Sequence, residues 1–410
     1  MSAAAAATAV PAAALVSTGS KLTEISDKAL IMWGKVKNMS LTPISAHLIG
    51  AALFVSLIIA SAVLLVIKTR LKDTNDDNMN EIYKDNTPVN RKLTSINNYD
   101  EQFSYLLRDY HIKTAYNCCC SGNFTNDWVS TNALTTVISQ GARCLDFEIY
   151  SLDGIPVISS SSQSEYTMKE TLNYVSLSEA FDIIIVHAFA TDKCPNKDDP
   201  LLLCLRIKSN NIVVFNEIAK LLEKKLASRL LDSRYGYAYN GDNLGRVPLS
   251  NFMGKIIIII DETPGPNTIV NEIHRKTSLY EFANIIIRGP TSKKTFKDVT
   301  TPSSQSEVVE YSKKNIVFVL PERSTKAENQ DAVAAHNQGH QLVAMSFQSN
   351  DAAMIAYNTK FDEARHAFIL KPPKLRYTPL TVDAPTPVDP NKTLNSQMSG
   401  KDAYGRSVEM

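Results

Sequence analysis

No G-x-G-x-x-G turn and no P-loop follows any apolar run in this 410-residue chain, so the usual phosphate-cradling turns of open α/β sheets are missing. Cysteine is scarce. The six present, Cys118, Cys119, Cys120, Cys144, Cys194 and Cys204, form one adjacent triplet and three scattered singles. That spacing supports neither a disulfide framework nor the spaced pairs of a structural zinc site. Free, buried thiols are the expectation, and they weigh toward a reducing compartment. Charge of one sign is also lacking: 43 Lys and Arg oppose 42 Asp and Glu, a formal net charge of +1. No global field steers the protein toward nucleic acid, and none is expected as a partner.

Long hydrophobic runs are limited to one. From Leu48 to Ile67 the sequence LIGAALFVSLIIASAVLLVI holds no charge and no proline. Its length matches the hydrocarbon core of a bilayer at 1.5 Å per residue. It begins too far in, runs too long and lacks the small-residue cleavage site of a signal peptide. A transmembrane helix over 44–67 is therefore expected, with the lipid bilayer as a partner. Lys28, Lys35 and Lys37 precede it, while Lys68, Arg70, Lys72 and Lys84 follow closely, which leans toward a cytoplasmic C-terminal side. Sequons at Asn38, Asn123 and Asn391 lean the other way.

Around the anchor, residues 1–43 open with an alanine-rich run, and 68–97 are rich in Asn, Asp and Lys, a composition suited to a solvated stalk. Beyond about 378 the tail is proline-rich and expected to be extended. The 98–377 block between them has the size of a barrel domain. Eight strands are expected in it: Ile112–Tyr116, Arg143–Tyr150, Ile183–His187, Leu201–Ile207, Lys255–Ile260, Asn284–Arg288, Ile316–Leu320 and Leu342–Phe347. Runs such as KIIIII and DIIIV are apolar on both faces, as parallel strands covered by helices should be. Helical spacing appears between them, as in NNIVVFNEIAKLLEKKLASRLL and WVSTNALTTVISQ. Strand and helix alternating in this way predict an α/β fold, a (β/α)8 TIM barrel, with an open doubly wound sheet as the alternative.

Four stretches carry a resemblance. GARCLDFEIYSLDGIPVI, YHIKTAYNCCCSG, PLLLCLRIKS and GHQLVAMSFQSND…HAFILKPPKLRY are similar, in the right order, to the X and Y regions of phosphoinositide-specific phospholipase C. Together they span about 105–377, with a short X–Y connection around 232–253. The resemblance implies a TIM barrel of the phospholipase C type, whose active members cleave a phosphodiester with the inositol 2-hydroxyl. They use two histidines, a base and an acid, with Ca²⁺ on the phosphate.

Carried over residue by residue, that machinery is broken. The first histidine falls on Tyr116 and the second on Ser162, and no histidine lies between His111 and His187. His111 is five residues too early, and neither a phenol nor a serine hydroxyl is a usable acid or base near neutral pH. The substrate-reading lysines fall on Ile259 and Asp261. The calcium positions hold Asn117, Asp146 and Glu148, but Arg206 replaces the fourth ligand, a glutamate. Asp146 and Glu148 share one face of a strand, and Arg206 is their expected partner, in place of calcium. No cofactor is expected. Arg323 aligns loosely with a headgroup arginine, and its own surroundings read as a solvated loop. His187, His336, His340 and His366 have no counterpart and read as ordinary surface or core histidines.

The expectation is a catalytically inactive, anchored barrel, acting through other proteins as a scaffold. A headgroup-binding module and a divergent phosphodiesterase are the alternatives. Anchored degenerate enzyme domains of large DNA viruses supply an analogy that adds a virion membrane to the settings considered.

Overall fold

The computed structural model describes residues 43–85 and 92–378 apart from 98, 164–167, 263–273 and 303, with isolated positions within 27–35 and 400–408. The alanine-rich start, the proline-rich stretch 379–399, Lys37 and the Asn38 and Asn391 sequons lie outside the described residues. The chain divides into two compact units, Met1–Leu71 and Lys72–Met410.

The first unit contains the apolar part of a 41-residue helix, α1 (Pro43–Tyr83). It is long and apolar enough to cross a membrane, with a mean hydropathy of 2.7 over its most apolar window. Leu53, Phe54, Leu64 and Leu65 are all exposed along it.

The second unit is a nearly closed parallel barrel. In chain order its strands are β1 (Tyr110–Ala115), β2 (Cys144–Leu152), β5 (Leu201–Lys208), β6 (Ile256–Asp261), β7 (Ile285–Ile287), β8 (Lys293–Thr295), β9 (Phe318–Leu320) and β10 (Leu342–Met345). Two short strands outside the wall, β3 (Ile155–Ile158) and β4 (Val175–Ser176), extend β2 as an antiparallel ribbon. A further strand, β11 (Phe368–Leu370), pairs antiparallel with β1. Around the wall the order is β7-β6-β5-β2-β1-β10-β9-β8. Each isoleucine of β6 is 2% exposed or less, the both-face burial that a helix-covered parallel strand requires.

Outside the wall lie α2 (Thr131–Ser139), α3 (Leu177–His187), α4 (Ile212–Leu221), α5 (Phe296–Thr300), α6 (Gln305–Lys314), α7 (Val333–Asn337) and α8 (Ala352–Ala364). Side chains fix the starts of several of them. Ser130 accepts from Asn132 N–H, Asn211 from Val213 N–H and Asp351 from Met354 N–H, satisfying donors that a first helical turn leaves open.

Two expectations are corrected. The segment Ile183–His187 is not a strand but the last turns of α3. Leu177, Ala180, Phe181 and Ile184 form its buried face at helical spacing, which overrides the β-branched run. The eighth wall strand comes later in the chain instead, as β8 after β7, and its three residues KKT carry no apolar signal.

The 68–97 segment, expected as a solvated stalk, is helical through Tyr83, and its later part packs on the barrel. Met79 is 1% exposed and Tyr83 6%. Asn75 Nδ2 donates to Asp127 Oδ1 at 2.6 Å, Ser130 Oγ to Asp76 Oδ2 at 2.9 Å, and Tyr83 OH to Phe347 O at 2.7 Å. Leu93 and Ile96 are buried too, with Ile96 N–H on Asp199 Oδ1 at 2.6 Å. Asparagine and aspartate, read from composition as solvation, here supply hydrogen bonds along the last turns of a helix, where Met79 and Tyr83 are buried.

The barrel does not close between β7 and β8. A side chain occupies the free edge instead: Asn243 Nδ2 donates to Ile286 O at 3.0 Å, and Ile286 N–H donates to Asn243 Oδ1 at 2.9 Å. The loop that carries it is strained. Tyr237, Ala238, Tyr239 and Asn240 have φ of 53°, 55°, 50° and 54°, followed by Asn243 at 52° and Leu244 at 53°. Left-handed backbone costs a residue with a Cβ roughly 1–2 kcal/mol. Burial of Ala238 and Leu244, and a bond from Ala238 N–H to Ala283 O at 2.7 Å, hold it in place.

Candidate functional site

At the C-terminal mouth of the barrel, Asp146 and Glu148 point inward from β2, two residues apart on one face. The β2–β5 register sets Glu148 beside Arg206, and both carboxylates are fully buried while Arg206 is 2% exposed. Just past β1, Asn117 turns through φ 42°, and its N–H donates to Asp146 Oδ2 at 3.0 Å.

Arg206 ties these groups together. Its Nε donates to Asp146 Oδ1 at 2.7 Å, and its Nη2 donates to Asp146 Oδ2 at 2.7 Å and to Asn117 Oδ1 at 2.6 Å. Its Nη1 lies 3.3 Å from Glu148 Oε1. The guanidinium sits 5.0 Å from the Tyr116 ring centre, a cation–π contact, and Tyr116 packs edge-on against Phe124 at 5.3 Å. A planar fork with five donors suits an asparagine and two carboxylates presented from two neighbouring elements.

Glu148 has two further cations. Arg323 Nη1 donates to its Oε1 at 2.6 Å and to Ser161 O at 2.9 Å, while Lys208 Nζ stands at 3.5 Å. The solvated loop arginine expected at Arg323 is therefore a half-buried closure of this network, because the loop after β9 folds back over the mouth. Burial by itself raises the Glu148 carboxyl, but Arg206, Arg323 and Lys208 outweigh it and hold it down at about 2. The same burial lowers Lys208 to about 8 and pushes Tyr116 up to about 12, too high for a general base.

The calcium that the family uses does not fit this donor set. Asn117 Oδ1, both Asp146 oxygens and Glu148 Oε1 already accept from Arg206. Glu148 Oε2 is the remaining orphaned acceptor, and Asn117 Nδ2 is likewise without a hydrogen-bond partner among the described residues. One acceptor hemmed in by three cations cannot replace the six to eight oxygens of a calcium site. Among the described residues no group of three or more His, Cys, Asp or Glu is placed to hold a metal ion.

The other positions are distributed as follows. Ser162 Oγ and N–H both donate to Glu170 Oε2, at 2.7 and 2.6 Å, and Ser161 Oγ joins at 3.0 Å. The serine run thus staples a loop, with Ser160 Oγ on Phe124 O at 2.8 Å. Ile259 is buried in the wall, and Asp261 is ion-paired with Lys293 of β8. All six cysteines are free and buried. His111 and His336 pack 4.6 Å apart, His111 Nδ1 lies 2.8 Å from His340 O, and His340 Nδ1 lies 2.9 Å from Ser312 Oγ. His366 packs edge-on against Phe103 at 4.8 Å, and half-buried His187 ends α3.

Sequence reasoning missed Lys208 and Lys293. Lys208 was legible, being two residues beyond Arg206 on one strand and so on the same face. Lys293 was not, because its strand has no periodic signal.

Comparison with known proteins agrees with this frame. The phosphatidylinositol-specific phospholipase C X domain matches residues 103–261, and the Y domain matches 274–374. Among solved structures, PLC21 of S. officinalis superposes with a TM-score of 0.54 at 18% identity, over 71% of this chain and 39% of its own. PLC21 of L. pealei gives 0.53 at 17%, over 71% and 40%. The chain therefore spans about two-fifths of the length of these solved relatives. No curated protein matches it significantly in sequence. With both halves of one family's barrel matched in order, this chain belongs to the phosphatidylinositol-specific phospholipase C family as a PLC-like TIM-barrel protein.

Proposed function

We propose that this barrel does not hydrolyse phosphoinositides, that the apolar part of α1 anchors it in a membrane, and that it serves as a scaffold for other proteins. The observation that carries the reading is Arg206, whose guanidinium stands where the family's cation would contact Asn117, Asp146 and Glu148. Without that cation, and with Tyr116 and Ser162 in place of base and acid, neither phosphate charge nor proton transfer is served. Exposed apolar residues support the partner reading: Leu152, Ile155, Ile212 and Val213 are 37–58% exposed around the β2–β3 turn and the start of α4. The basic residues flanking α1 lean toward a cytoplasmic barrel.

Headgroup binding is the second reading, supported by Lys208, Lys293 and Arg323 at the mouth. It is weakened because each of these cations is engaged by Glu148 or Asp261. The test is turnover of phosphatidylinositol and of glycosylphosphatidylinositol in mixed micelles by the full-length protein, with calcium present. No product above background is expected. Steady turnover would overturn the reading.

A further inference from the structure

We propose that the chain carries a second, basic cleft away from the barrel mouth, and that this cleft binds a small, multiply charged phosphate ester. It lies by the open wall near β7, where the strained 237–244 loop replaces a neighbouring strand. A cavity of about 650 Å³ is lined there by Arg246, Arg275, Arg288, Lys314, Tyr280 and Tyr311, with Asp242 as its carboxylate. That volume falls in the range of small-molecule sites.

The cations are arranged in two groups. Glu262 binds Arg275 Nε at 2.9 Å and Arg288 Nε at 2.6 Å, holding two guanidiniums on one carboxylate. Arg246 and Lys314 are exposed, and neither forms an ion pair with another described residue; the Lys314 ammonium rests 5.6 Å from the Tyr377 ring centre. Among the described residues, counting Asp242 and Glu262, positive charge exceeds negative by two around this cavity, in a chain whose whole net charge is +1. Guanidinium forks and an ammonium around one concave space are the chemistry that recognises phosphate oxygens. The tyrosines offer a ring or a hydroxyl to the remainder of the ligand. At the barrel mouth Arg206, Arg323, Lys208 and Lys293 are all engaged by carboxylates, whereas two of the four cleft cations, Arg246 and Lys314, are engaged by none among the described residues.

Backbone strain of this kind persists only where surroundings over-determine it, and it concentrates where a site is being shaped. Asn243 serves both ends: its side chain satisfies the free β7 edge at Ile286, and Asn243 and Ile286 both line the cavity.

The test is titration calorimetry on the full-length protein in detergent at physiological salt, with ATP, inositol hexakisphosphate and inorganic pyrophosphate as probes. Saturable one-to-one binding of at least one organic probe is expected, weakened by at least about tenfold in Arg246→Gln/Lys314→Gln, since hydrogen bonds from charged groups are being removed. Both residues are exposed, so that variant should keep the circular dichroism of the parent. Binding in Lys208→Gln should be unchanged. Absence of saturable binding by every probe would overturn the proposal, and so would binding that survives loss of Arg246 and Lys314 but is lost in Lys208→Gln.

Discussion

Two buried carboxylates and a buried guanidinium would each be untenable alone; around Asp146, Glu148 and Arg206 they offset one another. Removing one partner is therefore costly. Arg206→Met should destabilise the barrel by roughly 3–5 kcal/mol in urea unfolding, the usual cost of leaving charge buried and unpaired. A loss below about 1 kcal/mol would mean that the network is not structural. The three buried histidines make a separate statement about pH. Burial first, then neighbouring charges, brings His111 and His340 down to about 3 and His336 well below its usual value. A depressed folded value means that the unfolded chain binds the proton more readily. Their contribution is thus complete above 6.5 and is lost as pH falls from 6.5 toward 3, by at most about 1.4 kcal/mol per pH unit for each histidine. Asp199, raised to about 7 by burial, contributes with the opposite sign as pH falls from about 7 to 4, so the readout is the difference between variants. His336→Phe, beside Tyr357 and Phe361, should flatten acid-induced loss of stability below pH 6.5. An unchanged slope would place the proton uptake elsewhere. Of the site, Asn117, Asp146, Glu148 and Arg206 were legible because strand alternation and family motifs fix faces and positions. The Arg323 contact was not, since a loop's fold-back depends on tertiary packing.

Among the elements, α1 changes the account most. Residues 72–83 belong with the barrel, through Met79, Tyr83 and the hydrogen bonds of Asn75 and Asp76. A fragment starting at 98 would uncover that footprint, so a soluble fragment should begin near 72. The 72–378 piece should unfold at a higher temperature than 98–378, and Met79→Ala should cost it about 2–5 kcal/mol. Equal stability of the two fragments would contradict this docking. Composition hid the element, because a helix that docks through two apolar residues and several amides looks like a linker. The same limit explains β8 and α3. Three polar residues carry no strand period, while a β-branched run in a helix looks like a strand until its upstream spacing is counted.

For the molecule as a whole, apolar runs placed seven of the eight wall strands, four of them also carried by family motifs; the wall between β7 and β8 had no signal because a single asparagine, not a strand, satisfies that edge. On the proposed reading, rebuilding catalysis takes more than two residues in such a frame. Tyr116→His with Ser162→His should give no phosphoinositide turnover, since Ile259, Asp261 and Arg206 remain and catalytic groups act as a unit. Measurable turnover would show a mouth far closer to that of an active enzyme.

Under the proposed function, the Arg206 guanidinium holds the place of a calcium ion. Thermal unfolding with and without added Ca²⁺ tests it most directly, on the full-length protein and on Arg206→Glu, which restores the family's carboxylate. No calcium-dependent shift is expected in the unsubstituted protein, and a lowered melting temperature that rises again with Ca²⁺ is expected in Arg206→Glu. Calcium stabilisation of the unsubstituted protein would contradict this reading, as would an Arg206→Glu variant that calcium leaves unchanged.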